Sequence, residues 1–124
     1  MERRRDPRQG RAGQPEVKNL HRLVVILNRK EPNMIRLNCF FQAKEGRYAE
    51  AIAAAKALVG ESLTHPGCVA YDVFESATRP GIFMFCETWK DEASLSYHSS
   101  TDAFKKYVGI IGECGEMKVE KLAL

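Results

Sequence analysis

The sequence predicts an α+β fold built from a βαββαβ succession of elements, an antiparallel sheet with helices on one face. Three observations carry this. Apolar residues alternate with period two from Ile35 onward, which marks a strand. They then recur at helical spacing along the Ala-rich stretch after Gly46, and two further apolar runs follow around a Pro-Gly turn.

The elements read in order. Ile35, Leu37, Cys39 and Phe41 share one side of the first strand, with Arg36, Asn38, Phe40 and Gln42 on the other. Tyr48, Ala51, Ile52, Ala55, Leu58, Val59 and Leu63 form the apolar face of an amphipathic helix, stopped by His65-Pro66-Gly67. Val69 to Phe74 is a second strand, and Pro80-Gly81 closes a hairpin loop from Ser76. Ile82 to Trp89 is apolar on both sides for most of its length, as a central strand is. Asp91 is an N-cap for a helix through Leu95 and His98. Phe104, Tyr107, Val108 and Ile111 give a further helical face after the break at Ser99-Ser100-Thr101-Asp102. Glu116 to Leu122 alternates as a charged, edge-like strand. The order is that of a ferredoxin-like domain.

The chain's 124 residues suffice for one domain of ordinary size but not two. Residues 1–33 hold nine Lys/Arg against four Asp/Glu and almost no large apolar side chains up to residue 19, so they predict a basic, disordered extension ahead of a domain at 34–124. Residues 20–28 admit a short strand or helical turn. Met34 stands directly before the first strand and is an alternative start. From residue 34 the balance reverses to ten Lys/Arg against twelve Asp/Glu, which gives no electrostatic reason to expect nucleic acid as a partner. No apolar run reaches the ~20 residues of a membrane span. Cys39, Cys68, Cys86 and Cys114 form no C-x-x-C pair and no Cys/His cluster with metal spacing, so reduced thiols, a cytoplasmic protein and no metal are expected.

With helices on one face only, the other must meet water, a ligand or a partner. Phe83, Phe85, Glu87 and Trp89 share one side of the third strand. This aromatic side carrying an ionisable group reads as the pocket or interface face, joined by Phe40 and Asn38. The side formed by Ile82, Met84, Cys86 and Thr88 lacks ionisable groups and reads as the one that meets the helices.

The most specific stretch is E-x-W-x(8)-H, from Glu87 and Trp89 at a strand end to His98 on the next helix. Gly67-Cys68 and Tyr71 precede it, and Phe104 follows. Across about Met34 to Leu122 this ordered set resembles the antibiotic biosynthesis monooxygenase family, which includes small quinol monooxygenases. The resemblance implies a homodimer whose sheets pack into a barrel-like body. It also implies a cofactor-independent oxidation of a quinol or polyphenolic substrate by O₂, in which the protein supplies an aromatic cavity and a base.

On that reading His98 is the base, and Glu87 orients or polarises it or acts as base itself. Trp89, Phe83 and Phe85 stack on the substrate ring, Asn38 holds a substrate oxygen, and Phe40 and Tyr71 complete the binding set. Each residue also has a packing role to weigh against the chemical one: a half-buried hydrogen-bonded His98, a cross-sheet ion pair for Glu87, a core Trp89, a backbone-bonded Asn38. Ser100 to Ile111 lacks the His with which haem-degrading relatives hold haem, and Leu95 stands where anthrone-type oxygenases place a Tyr. Two alternatives use the same residues: an isomerase of a small phosphorylated sugar-like signal, although no Gly-rich phosphate loop is present, and a non-catalytic dimeric module that binds a hydrophobic ligand.

Overall fold

The structure, a computed structural model, describes residues 33–124. The extension assigned to residues 1–33, with its short element at 20–28, lies outside the described residues apart from Asn33. Seven elements follow: β1 (Ile35–Ala43), α1 (Tyr48–Ser62), β2 (Cys68–Glu75), β3 (Ile82–Trp89), α2 (Glu92–Ser100), α3 (Asp102–Cys114) and β4 (Gly115–Ala123). The four strands form one antiparallel sheet in the order β2-β3-β1-β4. β3 is thus internal and β4 is an edge, as the apolar and charged patterns predict. This is the ferredoxin-like arrangement.

The core lies between the helices and one side of the sheet. Ile35, Leu37, Cys39 and Phe41 of β1 are buried, and the buried face of α1 is Ala51, Ala54, Ala55, Leu58 and Ser62. Small alanines bring that helix close to the sheet, where Phe41 and Phe83 stack with ring centroids 4.6 Å apart. Leu63, grouped with the helix face by spacing, is instead the C-cap and is exposed.

The sheet corrects the assignment of its own faces. Phe83, Phe85, Glu87 and Trp89 all point into the core, while Ile82, Met84 and Cys86 lie on the open side and are partly exposed. Thr88, on that same open side, is nonetheless buried. Expecting the helices on the uncharged side gave too much weight to one carboxylate. A single buried carboxyl held by hydrogen-bond donors is tolerable, whereas three large aromatic side chains left in water are not.

Register extends the correction. Antiparallel partners point to the same side, and Asn38 pairs with Cys86 while Phe40 pairs with Met84. Asn38 and Phe40 therefore sit on the open face, across the sheet from Glu87 and Trp89. Phe74 pairs with Met84 from the other flank. At 41% and 53% exposure, Phe40 and Phe74 give the open face a bare aromatic patch.

Candidate active site

Three strands and two connections converge on the end of the sheet where β3 finishes. Tyr71 of β2 is the register partner of Glu87 of β3. It reaches that row because β2 shifts register between Cys68 and Ala70, a bulge that leaves Cys68 opposite Trp89 and Tyr71 opposite Glu87. Both side chains thus face the helices.

Glu87 is 5% exposed, and both of its oxygens are engaged. Oε1 accepts the indole N–H of Trp89 at 2.9 Å, and Oε2 accepts the Cys39 thiol at 3.5 Å. Burial raises the Glu87 pKa above the ordinary carboxyl value, against the lowering effect of its donors Trp89, Cys39 and Tyr71. Burial, followed by the nearby Glu87 charge, pushes the Cys39 thiol and the Tyr71 phenol far above their usual ranges, so neither ionises near neutrality.

His98 arrives from the last turn of α2. Asp91 starts this helix, its Oδ1 accepting from the Ser94 N–H at 2.8 Å and the Ser94 hydroxyl at 2.7 Å. The helix ends on Thr101, whose hydroxyl donates to the His98 carbonyl at 2.8 Å and accepts the Phe104 N–H at 3.2 Å. One side chain thereby closes α2 and caps α3, and it fixes His98 and Phe104 relative to each other. The His98 ring, 1% exposed, is walled by Trp89, Phe104, His65 and Tyr71, with centroids at 4.5, 4.9, 5.1 and 5.5 Å.

The polar partner of His98 is His65, with the two Nδ1 atoms 2.9 Å apart. Glu87, expected to orient His98, is bonded instead to the indole of Trp89. His98 Nε2 is buried with no hydrogen-bond partner among the described residues. Burial, then the neighbouring His65, lowers the His98 pKa to about 4, so the ring is neutral at physiological pH.

The turn that carries His65 continues through Gly67. That glycine has φ +81°, and a Cβ there would collide with the Ser94 side chain of α2. Its carbonyl accepts the Lys90 N–H at 2.8 Å, which ties the turn before β2 to the end of β3.

Of the residues singled out by sequence, the structure groups Tyr71, Phe85, Glu87, Trp89 and His98. Phe83 lies further along β3, packed on Phe41, Tyr48 and Phe85. Asn38 accepts from Arg36 Nε at 3.3 Å on the opposite face, so neither it nor Phe40 joins this cluster. His65 and Thr101 went unrecognised in the sequence, where they read only as a helix stop and a helix break. No group of three or more His, Cys, Asp or Glu able to hold a metal ion occurs among the described residues. Among them too, no helix is long and apolar enough to cross a membrane.

The class the fold defines is a ferredoxin-like α+β protein, with an imidazole and a carboxyl buried among aromatic rings between the helices and the sheet. The chain belongs to the antibiotic biosynthesis monooxygenase family, whose model matches residues 34–109. A Bacteroides thetaiotaomicron protein of known structure, described as a conserved protein of unknown function and possible oxidoreductase, is 50% identical. The match covers 74% of this chain and 98% of that one, with a TM-score of 0.72. The Bacillus subtilis protein named "Putative monooxygenase YcnE" is 33% identical over 75 residues, 60% of this chain and 79% of its own length. An uncharacterized Synechocystis protein, sll1783, is 30% identical over 86 residues. That match takes in 66% of this chain but only 58% of the relative's length. Family and relatives together support a monooxygenase-like function.

Proposed function

We propose that this protein is a cofactor-independent monooxygenase that oxidises a quinol or related polyphenol with O₂, acting as a cytoplasmic homodimer. The observation that carries this reading is His98: a neutral imidazole among aromatic rings, with Nε2 unpaired among the described residues. An unpaired buried ring nitrogen is costly, and in the tautomer that leaves Nε2 an acceptor a phenolic hydroxyl placed against it would remove that cost. Proton transfer from the hydroxyl leaves an electron-rich phenolate that can itself reduce O₂. For a hydroquinone the overall change is quinol plus O₂ to hydroxyquinone plus water.

Roles follow from position. His98 accepts the phenolic proton. Trp89, Tyr71 and Phe104 offer ring faces for stacking, with Phe85 behind Tyr71 at 5.7 Å between centroids. Glu87 fixes the indole plane. The open sheet face, with Phe40, Phe74, Ile82 and Met84, supports pairing with a second copy, since a bare aromatic sheet face favours burial.

The test is oxygen uptake by the purified full chain across a panel of hydroquinones, beside His98→Gln. Uptake above autoxidation, lost in the variant, is the expected outcome. No uptake by the wild type across the panel would overturn the reading. Product formed equally under nitrogen would point to the isomerase alternative, and saturable binding without product to a binding module.

A further inference from the structure

We infer that His65 is a functional part of the same site: it exchanges protons between solvent and the buried His98, so that the two imidazoles form a relay. The inference rests on the reading of His98 as the base, but its geometry stands independently.

The His98 ring is sealed from solvent, and its one hydrogen-bond partner among the described residues is His65, Nδ1 to Nδ1 at 2.9 Å. His65 itself is only partly buried, on the turn between α1 and β2, so the pair runs from the interior to the surface. Finally, the other groups facing His98 cannot take its proton onward. Tyr71 from β2 is a phenol held protonated, Trp89 from β3 is turned to Glu87 through its N–H, and α3 contributes the hydrocarbon ring of Phe104.

Tautomer counting shows how the pair would work. With both rings neutral, one of the two facing Nδ1 atoms carries a hydrogen and the other accepts it. When His98 Nδ1–H donates, His98 Nε2 is a bare base inside the enclosure and His65 carries its hydrogen on Nε2. A substrate hydroxyl then gives its proton to His98 Nε2, the Nδ1 proton of His98 passes to His65 Nδ1, and the Nε2 proton of His65 leaves to water. The substrate becomes an anion, one proton reaches solvent, and both rings end neutral in the opposite tautomers. A proton returning by the same route to the reduced oxygen resets the pair.

A relay also answers an energetic problem. A lone buried His98 whose pKa is held to about 4 is a poor acceptor for a phenol, which ordinarily ionises at about 10. Passing a proton out as another enters avoids a lasting imidazolium in the apolar interior.

The experiment uses the full chain labelled with ¹⁵N-histidine, as wild type and as His65→Gln, which keeps a polar partner at the turn but carries no relayed proton. His65→Asn serves as a second variant should the first be poorly folded. The expected result is that solvent exchange of the His98 ring proton slows at least tenfold in the variants. With a hydroquinone that the wild type oxidises, kcat should fall at least tenfold at a KM within about twofold, and free imidazole in the buffer should restore it. Unchanged exchange, or a kcat loss that imidazole does not repair, would overturn the relay. A wild type inert towards hydroquinones would sink the monooxygenase reading instead, and the exchange measurement would still decide the relay.

Discussion

Trp89 donates its indole N–H to Oε1 of Glu87, two residues earlier on the same face of β3, at 2.9 Å. The bond satisfies a buried donor and a buried acceptor together. It also sets the plane of the ring that lies 4.5 Å from His98.

Glu87→Gln should preserve this arrangement, because a side-chain amide oxygen can still accept the indole N–H. Its expected thermal stability at pH 8 is equal to or above that of the wild type, since no charge is then buried. Glu87→Ala strands the indole donor and opens a void, and should cost about 2–4 kcal/mol. Denaturant unfolding of the two variants checks both values. Oxygen uptake that survives in the Gln variant within a few-fold would confirm a positioning role for Glu87 and exclude it as the base.

Thr101 joins two helices through one hydroxyl. Thr101→Val keeps the shape and deletes both hydrogen bonds, so a loss of about 1–2 kcal/mol is expected from the cap alone. The His98 and Phe104 resonances should broaden or shift in NMR spectra of this variant more than those of β1. An unchanged unfolding midpoint would show that the hydroxyl contributes nothing.

Stability should depend on pH through His98 with a definite sign. Its folded pKa is about 4 against an ordinary 6.5, so the folded state binds fewer protons than the unfolded chain between these values. Stability is therefore full above about 6.5 and is lost as pH falls towards 4, by up to about 3 kcal/mol. Glu87 acts oppositely, because a raised carboxyl pKa erodes stability as pH climbs through it. Urea titrations of Glu87→Gln, free of that opposing group, should show the rise from pH 4 to 6.5 most clearly. A flat profile there would contradict the burial of a neutral His98.

The open sheet face gives a prediction about assembly. Replacing Phe40 or Phe74 by Glu places charge in the exposed aromatic patch without touching the enclosed site. If this face joins two copies, sedimentation should report a dimer for the wild type and a monomer for the variants, with secondary structure retained. Identical sedimentation for all three proteins would place any interface elsewhere.

Most of the fold was legible because it depends on local alternation. The period-two runs from Ile35 and Ile82, the helical spacing on alanines and the Asp91 cap all act within a few residues. The site was legible only in part. Glu87, Trp89 and His98 lie on one short stretch, but the face they occupy depends on which side of β3 the helices choose. That choice is a property of packing rather than of strand pattern, and it carried Asn38 and Phe40 to the wrong group. His65 stands 33 residues from His98. The clue lay in topology rather than spacing: if β2 runs antiparallel beside β3, whatever precedes β2 must meet whatever follows β3.

A rung at the sheet corner has a consequence for engineering. The Leu124 N–H donates to the Met34 carbonyl at 2.9 Å, and Ile35 is the register partner of Ala123. The start of β1 and the end of β4 are thus neighbours. A short glycine linker could join residue 124 to residue 34, and new ends could be cut in the exposed turn between β2 and β3, beyond the far end of the strands from Trp89 and His98. Such a permuted chain would carry the same sheet threaded in a different order, with the enclosed imidazole pair undisturbed.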